Sequence, residues 1–294
     1  MSTLRLACVL GSSLVCLQLC AAPLRIACIG DSITYGSGLS NPAVESYPAK
    51  LQRLLGTNDY TVRNFGVSGR TLLKKGDYPY WKESYFKTSH DWLPDVVIIQ
   101  LGTNDSKPYN WRYGTNFVAD YEDMVASYAT LTNSPRVIVC TPCPVFHSGA
   151  YDISPTVVAT NIAPIVRDLA GRLGLELVDL HSRLAGHSEW FPDNVHPNSK
   201  GMTVMAAVVW DTLAKQSTEE PGPSLALERL SPSSRLALAW RASGRGLVPQ
   251  STSKLAGTNT VWSVVETVIY LDADAVRQTN TISGPIRVFR LWEP

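Results

Sequence analysis

Short apolar runs alternate with amphipathic segments between residues 24 and 215. Five runs of strand length predict β-strands: Arg25–Ile29, Tyr60–Asn64, Val96–Leu101, Arg136–Cys140 and Leu175–Val178. Four segments with apolar residues at helical spacing predict α-helices: Tyr47–Leu55, Phe117–Thr130, Val157–Leu173 and Lys200–Leu213. This alternation is typical of βαβ units, so we expect a parallel sheet with helices on both faces. The run from Val96 to Ile99 has no polar alternation, which predicts a central strand buried on both sides.

The pattern changes near Gln216. Residues 216–224 are polar and include Pro221-Gly222-Pro223, so we interpret them as a linker after a domain of residues 23–215. Residues 225–294 have no helical periodicity, and turn residues separate their strand-like pieces. Those pieces are Leu236–Trp240, Val261–Val265, Thr267–Leu271 and Arg287–Leu291. They predict a small, antiparallel, β-sandwich-like module.

The first residues have the pattern of a secretory signal peptide. Arg5 precedes an apolar stretch from Leu6 to Leu19, and small residues follow, so we expect cleavage after Ala22. The stretch is short for a membrane span, and no later segment reaches spanning length. A secreted or periplasmic protein is therefore predicted. Removing residues 1–22 takes away Arg5 and no acid, which leaves a net charge of zero and argues against nucleic acid or an anionic membrane as partner.

Three of the six cysteines lie within the predicted signal, and Cys28, Cys140 and Cys143 remain. Three cysteines are too few for a disulfide framework in a chain of this length. Cys140 and Cys143 have CxxC spacing, but they end a predicted strand instead of opening a helix, so a redox role is disfavoured. Either an incidental disulfide or a pair of partly buried thiols is compatible with this spacing. No second CxxC or neighbouring His pair supports a zinc site.

Gly30-Asp31-Ser32 follows the first predicted strand. Open α/β sheets place reactive groups at the carboxyl ends of strands, so Ser32 is a candidate nucleophile that needs a base. Asp193 and His196 are three residues apart, just before the last predicted helix, where a tight turn can bring the carboxylate to one ring nitrogen. The other ring nitrogen is then available to Ser32. Asp179 and His181 form a rival pair, but two residues in extended geometry point to opposite faces.

Candidate donors for an oxyanion follow the second and third strands. Gly66 and Gly69 permit a backbone bend that presents an N–H group to a cleft, and Asn104 can aim its amide at the same point. Each piece alone is weak, because Gly-rich turns and strand-end Asn residues usually only build turns. The four pieces together follow strands one to three and precede the last helix, which places them all at one edge of the sheet.

In these blocks the chain resembles the SGNH (GDSL-type) esterases and lipases. The residues that match are GDSIT at 30–34, a glycine after strand two (Gly69, with Gly66 as the alternative), GTND at 102–105 and DNVH at 193–196. The resemblance covers roughly residues 24–215. It implies a flavodoxin-like three-layer α/β/α fold with a five-stranded parallel sheet, and a metal-independent ester hydrolase without cofactor. It assigns Ser32, His196 and Asp193 to catalysis, and the Ser32 and Gly69 amides with Asn104 to the oxyanion hole.

The resemblance is greatest to secreted carbohydrate acetylesterases of the sialate or acetylxylan type, through stretches such as Ser46–Ala49 and Arg63–Gly66. Loops after the second and third strands carry aromatic residues that could contact a sugar or simply pack locally: Tyr78, Tyr80, Trp81, Tyr109 and Trp111. In the C-terminal module, three tryptophans could form a carbohydrate platform, although core packing is the commoner use: Trp240, Trp262 and Trp292. An acylated carbohydrate or another small ester is the expected partner. A lipid- or thioester-directed lipase and a non-catalytic carbohydrate-binding protein are the alternatives.

Overall fold

The structure is a computed structural model that describes residues 22–147 and 150–214, together with the backbone of seven strands between residues 225 and 292. The signal-peptide and linker predictions, for residues 1–22 and 216–224, concern segments essentially outside the described residues. The strands are β1 (Leu24–Gly30), β2 (Tyr60–Gly66), β3 (Val96–Gln100), β4 (Arg136–Cys140), β5 (Glu176–Val178), β6 (Leu225–Leu230), β7 (Arg235–Arg241), β8 (Val248–Thr252), β9 (Ser263–Val264), β10 (Ile269–Asp272), β11 (Ala275–Thr281) and β12 (Val288–Trp292).

Ten α-helices lie in the described part of residues 22–214, which we call the α/β unit. They are α1 (Ser32–Tyr35), α2 (Pro42–Glu45), α3 (Tyr47–Leu55), α4 (Ser84–Asp91), α5 (Pro108–Trp111), α6 (Phe117–Ala129), α7 (Pro155–Val157), α8 (Ala163–Leu173), α9 (Leu180–Leu184) and α10 (Ser199–Ala214). Shorter 3₁₀ turns occupy Tyr80–Lys82, Asn104–Ser106, Gly114–Asn116, Ala150–Asp152 and Ser188–Trp190. Among the described residues, no helix is long and apolar enough to cross a membrane.

Strands β1–β5 form one parallel sheet in the order β2-β1-β3-β4-β5. Every residue of β3, the middle strand, is buried, which confirms the prediction from its uninterrupted apolar run. Successive side chains of a strand point to opposite faces of the sheet. Ile98 therefore lies in the core beneath α3 and α10, whereas Val97 and Ile99 lie in the core beneath α6 and α8. The predicted three-layer α/β/α fold is therefore confirmed.

One predicted helix is interrupted. We expected a continuous helix over Val157–Leu173, but the structure has a short α-helical turn, a π-helical segment at Val158–Ile162, and then α8. Pro164 lies in the first turn of α8 and has no N–H to donate to the carbonyl four residues earlier, so the preceding turn widens. The sequence pattern also missed α4, whose residues are mostly polar or only partly buried.

The seven C-terminal strands pair antiparallel, in agreement with the prediction for this region. They form a four-stranded sheet in the order β10-β11-β7-β6 and a three-stranded sheet in the order β12-β8-β9. Strands β6, β8 and β11 were not predicted. Whether the two sheets pack as a sandwich, and whether Trp240, Trp262 and Trp292 form a platform, concerns side chains outside the described residues, so both stay predictions.

Candidate active site

Ser32 lies where β1 ends and α1 begins, at the carboxyl edge of the sheet. The Asp31 carboxylate caps α1 by accepting a hydrogen bond from the Ile33 amide at 2.9 Å. Ser32 is only 8% exposed, and its Oγ lies 2.8 Å from Nε2 of His196. The sharp turn from strand to helix therefore holds the hydroxyl within hydrogen-bond reach of a base.

His196 and Asp193 meet in a tight turn before α10. Nδ1 of His196 lies 2.6 Å from Oδ2 of Asp193, and Asp193 Oδ1 accepts the backbone N–H groups of His196 at 2.7 Å and Val195 at 3.1 Å. Asn194 adopts φ +69° to make this turn. Burial raises the pKa of Asp193, but the hydrogen bonds from His196 and Val195 outweigh it and hold the pKa below its ordinary value. Ser32, His196 and an ionised Asp193 thus form one hydrogen-bonded series.

The rival pair of Asp179 and His181 is organised differently. Arg167 donates to both oxygens of Asp179, at 2.9 Å and 3.0 Å, and Ser182 also donates to this carboxylate. Burial acts to raise the pKa of Asp179, but the hydrogen bonds, chiefly from Arg167, lower it to about 2. Asp179 also caps α9. This carboxylate has a structural role, and Asp193 is the acid whose histidine partner lies within hydrogen-bond distance of Ser32.

Asn104 lies in the loop just after β3, and its amide contacts the loop after β2 and the turn after β1. Its Nδ2 donates to the Arg70 carbonyl at 3.1 Å and lies 3.5 Å from Asp31 Oδ2, while the residue is 4% exposed. These contacts place the amide next to the Arg70–Thr71 peptide, one residue beyond Gly69, and next to the turn that carries Ser32. The position suits a side-chain donor to an anion formed on a group attacked by Ser32.

The two candidate glycines have different surroundings. An added Cβ at Gly66 would lie 2.3 Å from the backbone nitrogen of Tyr35, and the Gly66 amide already donates to Asn64 Oδ1 at 2.9 Å. Gly66 is therefore needed for close packing between β2 and α1. Gly69 adopts φ +82° with no atom within 4 Å of an added Cβ, so its backbone conformation is what requires glycine. We retain Gly69 as the candidate backbone donor.

Asp105 is a site residue that sequence reasoning missed. It is fully buried, and its two oxygens accept the backbone N–H groups of Leu72 at 3.0 Å and Leu73 at 2.7 Å. These bonds fasten the loop that carries Gly69 to the end of β3. Burial raises the pKa of Asp105 to about 7, although both amides act to lower it, and burial likewise raises the pKa of Asp31 to about 6. The GTND block contains Asp105 and could have marked it as a site residue, but the block does not show which backbone groups the aspartate binds.

We expect Asp105 to make the folded protein less stable as the pH rises. Its pKa of about 7 in the folded state exceeds the ordinary 3.8, so between these values the folded chain keeps a proton that the unfolded chain has lost. The stabilisation present below pH 4 is therefore lost towards pH 7, on the order of 1.4 kcal/mol per pKa unit. Urea unfolding at pH 5 and pH 8 should show a smaller decline for Asp105→Asn than for the wild type.

This variant should also be less stable at both pH values, because its NH₂ group faces one of the two amides that need an acceptor. Asp168→Asn is a matched control, since the Asp168 side chain is 69% exposed and pairs with Arg172 on the surface. It should decline like the wild type. Equal declines for all three proteins would show that Asp105 does not titrate in this range.

The predicted substrate-contacting aromatics fall into two groups. For Tyr80 the structure excludes substrate contact and shows the other use that the sequence left open, local packing: the residue is 0% exposed, and its hydroxyl donates to the Phe65 carbonyl at 2.7 Å. Trp81 and Trp111 are partly buried against the same core, and Trp81 Nε1 donates to the Leu72 carbonyl at 2.7 Å. Tyr109 is 43% exposed, which leaves its ring accessible.

Cys28, Cys140 and Cys143, the cysteines in the part of the chain that the structure describes, are free thiols, and all three are buried. Cys140 and Cys143, whose pairing was left open, are thus not joined by a disulfide. Burial raises the pKa of Cys28 to about 12 and raises those of Cys140 and Cys143 as well, so the thiols are protonated at neutral pH. Within residues 22–147 and 150–214, no group of three or more His, Cys, Asp or Glu lies close enough to hold a metal ion.

A three-layer α/β fold with a hydrogen-bonded Ser–His–Asp series at its carboxyl edge is an arrangement of the serine hydrolase class. The chain belongs to the GDSL-like lipase/acylhydrolase family, whose model matches residues 28–204. It is 41% identical over 204 residues to an acetylxylan esterase of Xylanibacter ruminicola, a match that covers 63% of this chain and 42% of that protein. The chain therefore covers less than half the length of that relative.

Solved structures share the fold at low sequence identity. A carbohydrate acetylesterase of Sinorhizobium meliloti, Est24, aligns with TM-score 0.55 and 19% identity over 66% of this chain and all of its own. The aryl esterase of M. smegmatis aligns with TM-score 0.53 and 23% identity over 66% of this chain and 97% of its own. The acetylxylan esterase Axe2 of Geobacillus stearothermophilus aligns with TM-score 0.51 and 20% identity over 66% of this chain and 96% of its own. These similarities concern the fold alone.

Proposed function

We propose that this protein is a serine esterase that removes short acyl groups, chiefly acetyl, from a carbohydrate. The observation that carries the proposal is the continuous contact from Ser32 Oγ to His196 Nε2 at 2.8 Å and from His196 Nδ1 to Asp193 at 2.6 Å. A serine hydroxyl is a weak nucleophile until a base takes its proton, and this geometry supplies the base and its orienting acid.

In the proposed acylation step, Ser32 Oγ bonds to the ester carbonyl carbon while its proton passes to His196 Nε2. Asp193 keeps the ring in the tautomer that presents Nε2 to Ser32 and stabilises the imidazolium. The negative charge on the carbonyl oxygen is met by the Asn104 amide and the backbone N–H groups of Ser32 and Gly69. The ester C–O bond then breaks, and the alcohol oxygen takes the proton from His196.

Deacylation repeats the chemistry with water as the nucleophile. His196 takes a proton from water, the oxygen bonds to the acyl carbon, and the bond to Ser32 Oγ breaks. His196 returns its proton to Ser32, and the carboxylic acid leaves. The buried, fixed positions of Asn104 and Ser32 suit both steps, because donors that are already oriented need no reorganisation as charge develops.

Two observations support a short acyl group on a polar alcohol. The acetylxylan esterase of Xylanibacter ruminicola is 41% identical over 204 residues. The loops beside that site are also polar: Lys107 Nζ lies 3.9 Å from Asp77, and the exposed Tyr78 and Tyr109 flank these residues along the chain. A long acyl chain would instead need an apolar groove. Location outside the cytoplasm, secreted or periplasmic, is part of the proposal and rests on the pattern of residues 1–22.

The test of this function compares p-nitrophenyl acetate, butyrate and octanoate as substrates of the full chain. We expect kcat/KM to be highest for acetate and to fall at least about tenfold at octanoate, because polar loops beside the site would not stabilise a long acyl chain. Acetate release from acetylated xylan, acetylated pectin and O-acetylated sialic acid then identifies the sugar. A preference for octanoate would indicate a lipase, and no hydrolysis of any ester would indicate a binding protein; either result would overturn the proposal.

A further inference from the structure

Tyr151 lies against the His196–Asp193 pair, although nothing in the sequence motifs pointed to it. Its hydroxyl donates to Asp193 Oδ2 at 3.1 Å, the same oxygen that faces His196 Nδ1. Its ring meets the His196 ring edge-to-face, with centroids 5.3 Å apart. The residue is nevertheless 59% exposed, so much of the ring is available to another molecule beside the candidate base.

The backbone around Tyr151 is held in an uncommon conformation. Tyr151 and Asp152 adopt φ +55° and +60°, a region that is strained for residues other than glycine. Neighbouring contacts stabilise it: the buried Ile153 packs in one cluster with Val195, the residue before His196, and the Ser154 amide donates to Ser106 Oγ at 3.1 Å. The segment is thus fastened both to the His196 turn and to the loop after β3.

The proposed reaction indicates which part of the substrate lies beside Tyr151. His196 Nε2 protonates the departing alcohol, so the alcohol part of the ester must lie on the His196 side of the site. The acyl carbonyl lies on the other side, towards Asn104 and Gly69. A ring that packs on His196 and faces solvent therefore borders the leaving alcohol and not the acyl group.

We propose that Tyr151 forms a wall of the subsite for the leaving sugar, with its ring set in place by the hydrogen bond to Asp193. This inference rests on the proposed function. An aromatic ring can pack against the apolar face of a sugar ring, whereas a small alcohol such as ethanol is too short to make this contact with the Tyr151 ring. The hydroxyl and the ring then make separable contributions: the hydroxyl acts through Asp193 on every ester, and the ring acts only on esters of sugars.

The experiment measures kcat and KM of the full chain on an acetylated xylo-oligosaccharide and on ethyl acetate, which share the acetyl group. Tyr151→Phe keeps the ring and removes the hydroxyl, so we expect kcat to fall about two- to fivefold on both substrates with little change in KM. Tyr151→Ala should reduce ethyl acetate hydrolysis by the same factor. It should lower kcat/KM for the sugar ester by about a further tenfold, mainly through KM.

Tyr85→Ala is the matched control, because Tyr85, on α4, is also an exposed tyrosine (43%) but packs on Phe65 of β2. It should leave the ratio of the two kcat/KM values unchanged. An unchanged ratio in Tyr151→Ala would overturn the subsite, as would a wild-type chain active on ethyl acetate but not on the sugar ester. A wild-type chain inactive on both substrates would instead overturn the proposed function.

Discussion

Replacing Ser32 by Ala should abolish ester hydrolysis, with kcat reduced by about 10⁵- to 10⁶-fold. The substitution removes the oxygen that would bond to the acyl carbon, while its backbone amide and the Asp31 cap of α1 stay in place. Hydrolysis of p-nitrophenyl acetate measures the loss. A fluorophosphonate probe, which labels activated serines, should modify the wild type at Ser32 and leave the variant unlabelled.

Ser37→Ala provides a matched control near the same loop. Ser37 is a surface serine whose Oγ lies 2.9 Å from Ser68 Oγ, and its loss should change kcat by no more than about twofold. Folding of Ser32→Ala is checked by its thermal midpoint, which should lie within a few degrees of the wild type. If the correctly folded variant kept a tenth of the parent activity, Ser32 would not be the nucleophile.

Replacing Asn104 by Ala should lower kcat by about 10²- to 10³-fold, the usual effect of removing one oxyanion donor. The reason is the position of Nδ2, 3.1 Å from the Arg70 carbonyl and 3.5 Å from Asp31, between the turns that carry Gly69 and Ser32. Because the donor acts on charge that develops in the transition state, KM should change much less than kcat. Steady-state kinetics on p-nitrophenyl acetate separate the two quantities.

Asn133→Ala is the control for this truncation. Asn133 also donates its amide to backbone carbonyls, those of Leu93 and Pro94, but it precedes β4 at the opposite edge of the sheet. Its loss should cost stability without affecting kcat. Labelling of Asn104→Ala by the fluorophosphonate probe should persist at a reduced rate, since Ser32 and His196 are intact. Parent-level hydrolysis by a folded Asn104→Ala protein would remove Asn104 from the oxyanion hole.

Much of the α/β unit could be predicted from local pattern. The five strands of the parallel sheet were found within two residues at each end, because each is a short stretch of strand length bounded by turn residues or helical segments. Helix α3 was predicted with its observed ends. The prediction of a continuous helix over Val157–Leu173 missed the π-helical segment at Val158–Ile162, because the spacing of apolar residues does not reflect the missing N–H of Pro164.

Some site residues could be found from the sequence, and others could be found only from the structure. Ser32, Asn104, Asp193 and His196 were visible because short motifs carry them and because strand ends of a parallel sheet meet at one edge. The role of Tyr80 could not be decided from the sequence, since a loop aromatic can face solvent or core, and only the structure shows that its hydroxyl donates to the Phe65 carbonyl. Asp105 and Tyr151 were missed as contributors, because their partners are distant along the chain.

The sequence by itself determined the five strands of the parallel sheet, the fold class and the residue types that can perform acyl transfer. These properties depend on hydrophobic periodicity and on short motifs, both of which are local along the chain. Only the tertiary structure decided that Asp105 holds the Gly69 loop, that Tyr80 is buried with its hydroxyl on the Phe65 carbonyl, and that Tyr151 lies on His196. Those outcomes depend on which of several chemically equivalent groups come within hydrogen-bond distance, and long-range packing sets that distance.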